Sequence, residues 1–184
     1  MKKRAMFGKQ ESIKIGGFIF ASKAILTISL LLLSIQNNAK GGLMKKIIFI
    51  CKGNMHRSPI AKALYNVLKK DDSYAESYGT MVDIEGRTGK KLSSYPGLLN
   101  LIDELKQNYG VDISNETCKQ VSTEVLKGAD KIIVMAEEEF IPGWLREYKY
   151  EKWEVPDSDS ISPEYAVEDV KNIQSKVERL LLSK

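Results

Sequence analysis

Cys51 and Arg57, separated by five residues, bracket the segment Cys51-Lys52-Gly53-Asn54-Met55-His56-Arg57-Ser58-Pro59. A thiol, a guanidinium and a hydroxyl set this closely around a glycine are the parts of an oxyanion site. If the segment is a loop that runs into a helix, the backbone N–H groups of Lys52, Gly53, Asn54, Met55 and His56 turn toward one centre, and the helix dipole adds positive field there. Phosphate suits such a cradle. Arg57 can grip two phosphate oxygens in one fork, which the point charge of a lysine does not do. The same field favours Cys51 as a thiolate, and Ser58 is close enough to donate to it. A thiolate facing a bound phosphoryl group is a nucleophile for phosphoryl transfer.

That chemistry requires a strand ending at Cys51 and a helix starting on the far side of the loop. Ile47-Ile48-Phe49-Ile50 is a short apolar run that reads as a strand buried on both faces, which implies a parallel sheet. Ser58-Pro59 reads as an N-cap followed by proline at the first helical position, and Ile60, Ala63, Leu64, Val67 and Leu68 recur at helical spacing. Downstream, residues 75–80 read as a second strand, 83–94 as a loop, and 96–109 as a helix stopped by Gly110. Residues 121–128 suggest a short helix and 131–135 another buried strand. Residues 137–148 look helical, interrupted at Pro142-Gly143. Trp153-Glu154-Val155 is the predicted last strand, 156–162 a polar loop, and 163–182 a long amphipathic helix that uses Val167, Val170, Ile173, Val177 and Leu180. The alternation predicts a small doubly wound α/β domain of the flavodoxin-like or Rossmann-like kind: a four-stranded parallel sheet flanked by helices, with its site at the carboxyl ends of the strands.

Charge separates this body from what precedes it. The 184 residues carry a net charge of +4, but residues 1–43 hold seven cations and one anion, leaving 21 cations against 23 anions in 44–184. A slightly acidic body with scattered cations gives no footprint for nucleic acid. Residues 24–35, AILTISLLLLSI, form an apolar run of signal-peptide length, shorter than the ~20 residues that span a bilayer. Reaching back to Ile15 gives spanning length only by including Lys23. The leader is therefore a signal peptide, a membrane anchor, or an over-extended start ahead of Met44-Lys45-Lys46, and membrane contact or export follows only if it is retained. Two cysteines without C-x-x-C spacing suggest neither a disulfide framework nor a zinc site, and reduced thiols fit the cytoplasm.

The stretch IIFICKGNMHRSPIAKAL resembles the signature of the low-molecular-weight protein tyrosine phosphatase family, an apolar strand, then C-x-G-N-x-C/x-R-S-P, then a helix. Ser77-Tyr78-Gly79-Thr80 resembles its S-A-G-T. Residues 110–122, GVDISNETCKQVS, and 129–139, ADKIIVMAEEE, resemble two further segments. The resemblance covers 44–184 and none of 1–43. It implies a hydrolase of phosphomonoesters acting on a phosphoprotein or a small phosphate ester and releasing inorganic phosphate, with no metal and no cofactor. Cys51 would form a phosphocysteine, Arg57 would bind phosphoryl oxygens, Asn54 would hold the loop, and Ser58 would support the thiolate as leaving group. The family's general acid aligns with Asp157, with Asp159 as the alternative.

Several positions depart from the family pattern. The Asp-Pro-aromatic of the acid loop becomes Asp157-Ser158-Asp159, without the aromatics that stack on a phosphotyrosine ring. His56 stands where many members carry a second loop cysteine, so an internal disulfide of the loop is not available; its backbone belongs to the cradle and its side chain is expected to point away. Glu116 stands where a loop-ordering histidine is common. Cys118 reads as a half-buried packing residue. Two other readings stay open: a phosphate-binding module with weak or no turnover, and an arsenate reductase of the same fold, although 135–140, M-A-E-E-E-F, lacks the relay cysteine that such enzymes carry after the third strand.

Overall fold

The computed structural model describes residues 45–156 and 163–183. Strand β1 (Lys46–Cys51) lies inside a four-stranded sheet of order β2-β1-β3-β4, with β2 at Tyr74–Gly79, β3 at Lys131–Val134 and β4 at Glu151–Lys152. Every pairing is parallel. Among the described residues four α-helices accompany it: α1 (Arg57–Leu68), α2 (Leu99–Tyr109), α3 (Thr123–Leu126) and α4 (Pro163–Leu182). This is the α/β architecture expected from the alternation of apolar runs and amphipathic segments.

The apolar run of β1 reflects its place in the middle. Ile47, Phe49 and Cys51 face one core, shared with Leu64 of α1, Leu101 and Leu105 of α2, and Val170, Ile173 and Val177 of α4. Ile48 and Ile50 face a second core with Val134, Leu126, Ile141 and Leu145. Covering both faces excludes water from the strand, and each buried Ile or Leu contributes roughly 1.5–3 kcal/mol relative to exposure. Gly110 ends α2 with φ 66°, a left-handed conformation that glycine adopts without penalty.

Three local expectations are corrected. Helix α1 begins at Arg57 with His56 at the N-cap, so Ser58 is not the cap and Pro59 is the third helical residue. Proline is tolerated there because the first-turn N–H groups have no intrahelical acceptor. Residues 137–148 form no α-helix. They make two 3-10 turns, Glu138–Phe140 and Gly143–Glu147, joined through Ile141 and Pro142. β4 lies at Glu151–Lys152, two residues before the predicted last strand; Trp153 N still donates to Val134 O at 2.9 Å. Among the described residues no helix is long and apolar enough to cross a membrane.

Candidate active site

β1 delivers Cys51 to the carboxyl edge of the sheet, where it pairs in register with Gly79 of β2. The ladder continues past the strand ends: Thr80 N donates to Cys51 O and Met81 N to Lys52 O, both at 3.0 Å. A Cβ on Gly79 would lie 2.6 Å from Lys52 O and 2.7 Å from Asn54 N. Both are backbone atoms, so a side chain here would push the loop itself.

The loop is closed by its own polar side chains. Asn54 is buried with φ 51°, in the left-handed region that asparagine enters more readily than most residues, at about 1 kcal/mol or more. Both ends of its amide are held: Nδ2 donates to Ser58 Oγ at 3.0 Å, and Oδ1 accepts from Lys119 N at 2.8 Å. Ser58 Oγ also donates to Tyr78 O at 3.0 Å and lies 3.0 Å from Cys51 Sγ. A hydroxyl has one proton and two lone pairs. With that proton on Tyr78 O, Ser58 accepts from Asn54 and from the Cys51 S–H. Once Cys51 loses its proton, the hydroxyl must swing from Tyr78 O to Sγ to stabilise it. These three bonds explain why Ser58 is not available to cap α1.

Among the described residues, the backbone N–H groups of Lys52, Gly53, Asn54 and Met55 donate to no protein acceptor. Four consecutive amides left in this way beside a thiol and a helix N-terminus are uncommon, because folded chains pair nearly all such donors.

Arg57 is 2% exposed. Its Nη1 donates to Met135 O at 2.7 Å, to Glu137 Oε1 at 2.6 Å and to Val155 O at 3.3 Å, and Nη2 lies 3.4 Å from Glu137 Oε2. The guanidinium is thus fixed from the β3 side by a carboxylate and carbonyls. Burial pushes the Glu137 carboxyl up, but the Arg57 hydrogen bond, its own backbone amide and the charges of Arg57 and Lys52 outweigh this and hold it below the ordinary carboxylate value. Sequence reasoning passed over Glu137. The signal was there in three consecutive glutamates directly after an apolar strand, at the edge where the loop lies.

The remaining loop residues point elsewhere. Met55 packs against the larger core. His56 turns toward α4, its Nε2 3.8 Å from Asp169 Oδ2. The ammonium of Lys52 lies over the ring of Phe140, 3.9 Å from its centroid. Glu116 pairs with Lys62 of α1 at 2.6 Å, so the loop's anchor on this side is the Lys119 amide. Cys118 is fully buried in the same core as Cys51, more so than expected. Burial pushes its thiol up, only partly offset by Tyr95 and Arg87. Asp157 and Asp159 lie outside the described residues.

A model of the family described as low molecular weight phosphotyrosine protein phosphatase matches residues 46–182. Relatives carrying that description in Homo sapiens and Pongo abelii are each 28% identical over 93 residues, 50% of this chain and 56% of theirs. The chain thus spans about half the length of the curated relatives it matches. Among solved structures it is similar to a low molecular weight protein tyrosine phosphatase from T. tengcongensis, at TM-score 0.65 and 26% identity, over 76% of this chain and 99% of that one. Vibrio vulnificus Wzb in complex with benzylphosphonate shares the fold at TM-score 0.63 and 20% identity, over 77% and 100%. So does an arsenate reductase in the phosphate binding state, at 0.60 and 22%, over 76% and 98%.

Proposed function

Because this chain belongs to the low molecular weight phosphotyrosine protein phosphatase family, we propose that it hydrolyses phosphomonoesters through a phosphocysteine on the Cys51–Ser58 loop. The observation that carries this reading is the set of four amides, Lys52 to Met55, without an acceptor among the described residues, beside a thiol 3.0 Å from Ser58 Oγ. Those donors suit the oxygens of a phosphoryl group, whose charge grows on the equatorial positions during transfer. We assign Arg57 to the same oxygens. Glu137 holds it in place, so little side-chain entropy remains to be lost on binding.

In the first step Cys51 Sγ attacks phosphorus and the bond to the ester oxygen breaks. The leaving oxygen takes a proton from a carboxylic acid, which we assign to Asp157 with Asp159 as the alternative. In the second step the carboxylate takes a proton from water. The water oxygen bonds to phosphorus, the S–P bond breaks, and inorganic phosphate leaves with the thiolate restored. Ser58 stabilises that thiolate through the hydroxyl swing described above. Substrates on this reading are phosphoproteins or small phosphate esters.

We take residues 44–184 as the catalytic unit and 1–43 as a leader, a division supported by a family match that starts at residue 46. Two buried thiols without a disulfide support a cytoplasmic setting. N-terminal sequencing of the native protein checks the boundary, because a mature chain starting before Met44 contradicts an over-extended start. The chemical test is turnover of a generic aryl phosphate in EDTA. Cys51→Ser should lower it by at least about 10⁴-fold, and a variant that keeps its activity would overturn the mechanism.

A further inference from the structure

Lys52 directly follows the nucleophile, and the two-step reaction makes no use of its side chain. Its ammonium rests on Phe140, in the turn Glu138–Phe140 that follows β3, so it bridges the carboxyl ends of two neighbouring strands. An ammonium on an aromatic face is oriented by the ring quadrupole and keeps N–H donors for other partners. Among the described residues no carboxylate reaches ion-pair distance of Lys52 Nζ, whereas Lys62 and Lys131 are each paired at 2.7 Å or closer.

Two other charged groups beside the loop are already matched. Arg87 packs against Gly53, its Nη1 2.6 Å from where a Cβ there would stand, and it is paired with Glu85 Oε2 at 2.7 Å. Glu137, a carboxylate that feels the Lys52 charge, is committed to Arg57 at 2.6 Å. The wall over Gly53 is therefore neutralised, and the wall over Phe140 is not. A lysine stem places Nζ roughly 6 Å from its Cα, and the Cα of Lys52 is about 3.8 Å from that of Cys51, so the ammonium stands within about 10 Å of the Cys51 Cα, on the wall beside an ester bound at Sγ.

We propose that Lys52 is a specificity-determining residue that reads a second negative charge on the substrate. The preferred substrates are phosphomonoesters carrying a carboxylate or a further phosphate close to the phosphorus that is attacked, on the side of Phe140. This rests on the phosphatase reading of the same loop. The pair is partly exposed, so the preference should be about three- to tenfold at low ionic strength and should shrink as salt screens it.

The test compares acidic and neutral partners in two arms. One uses phosphotyrosine peptides flanked by Glu or by Gln, the other carboxyphenyl phosphate against phenyl phosphate. Affinity is measured with Cys51→Ser protein, and kcat/KM with the unaltered enzyme. The acidic-to-neutral ratio should be about three to ten, fall to about one in Lys52→Met, and drop below one in Lys52→Glu. Preference in the peptide arm alone identifies a phosphoprotein source, and in the small-ester arm alone a metabolite source. A ratio near one in both arms, or one that Lys52→Met leaves unchanged, overturns the proposal. Lys52-dependent preference in binding without any turnover would keep the rim assignment and remove the phosphatase reading. Turnover without preference does the reverse.

Discussion

The floor of the site and its rim are built on opposite terms. On the floor, Asn54, Arg57 and Ser58 are at most 2% exposed, and each makes at least two hydrogen bonds from its side chain. Their geometry is over-determined, as a left-handed Asn54 requires. At the rim, Lys52 has one ring contact, and Glu85 and Arg87 are partly exposed and hold mainly each other. A floor fixed this tightly can stabilise a transition state without reorganising, while a loosely held rim can change with the substrate. On the proposed reading the reaction belongs to the first region and its selectivity to the second.

Arg57→Lys should break the floor most severely. Lysine cannot reproduce both the fork and the contacts to Met135 and Glu137, and kcat/KM for a neutral aryl phosphate should fall about 10²- to 10³-fold. Next comes the proton donor. On an ester with a poor leaving group, Asp157→Asn should cost about 10²-fold or more, and a larger loss in Asp159→Asn would transfer the role. Gly79→Ala should destabilise the fold by about 1–3 kcal/mol, read from thermal or denaturant unfolding, because a methyl group meets Lys52 O and Asn54 N.

Glu137 gives the floor a pH signature. Its carboxyl is held below its ordinary value, so the unfolded chain binds the extra proton first as pH falls. The pair with Arg57 contributes fully above about pH 4.3, and that contribution is lost as pH drops through the lower folded value. Glu137→Gln should therefore flatten the acid limb of a stability–pH curve. An identical limb in both proteins would remove Glu137 from the floor. The smallest effect belongs to the rim: Glu85→Gln, which releases Arg87, should change kcat/KM on a neutral ester by less than about threefold.

Much of the fold was legible because burial leaves a pattern. β1 shows as an unbroken apolar run and α4 as an amphipathic stripe, and both lie where the sequence places them. The misplaced β4 has only two residues, too few for alternation to mark, and its site was decided by pairing with Ile133 and Val134. The segment after β3 has the apolar content of a helix, but Pro142 and Gly143 divide it into 3-10 turns too short for an α-helical ladder. Ser58 looked like a cap by local rule. Asn54, Cys51 and Tyr78 share its hydroxyl, and Tyr78, on β2 and 20 residues away, is brought to it only by the fold.

The sequence alone determined the set proposed to react: a thiol, a guanidinium and a hydroxyl at fixed spacing, between an apolar strand and a helix. Local spacing is enough for that because a strand end, a loop and a first helical turn are contiguous in the chain. Tertiary structure decided what holds and surrounds that set. Glu137 lies 80 residues from Arg57, Lys119 lies 65 from Asn54, and Phe140 comes to Lys52 from the neighbouring strand's end. Such partners leave no periodic trace, since contacts across a parallel sheet depend on strand order and register rather than on distance along the chain.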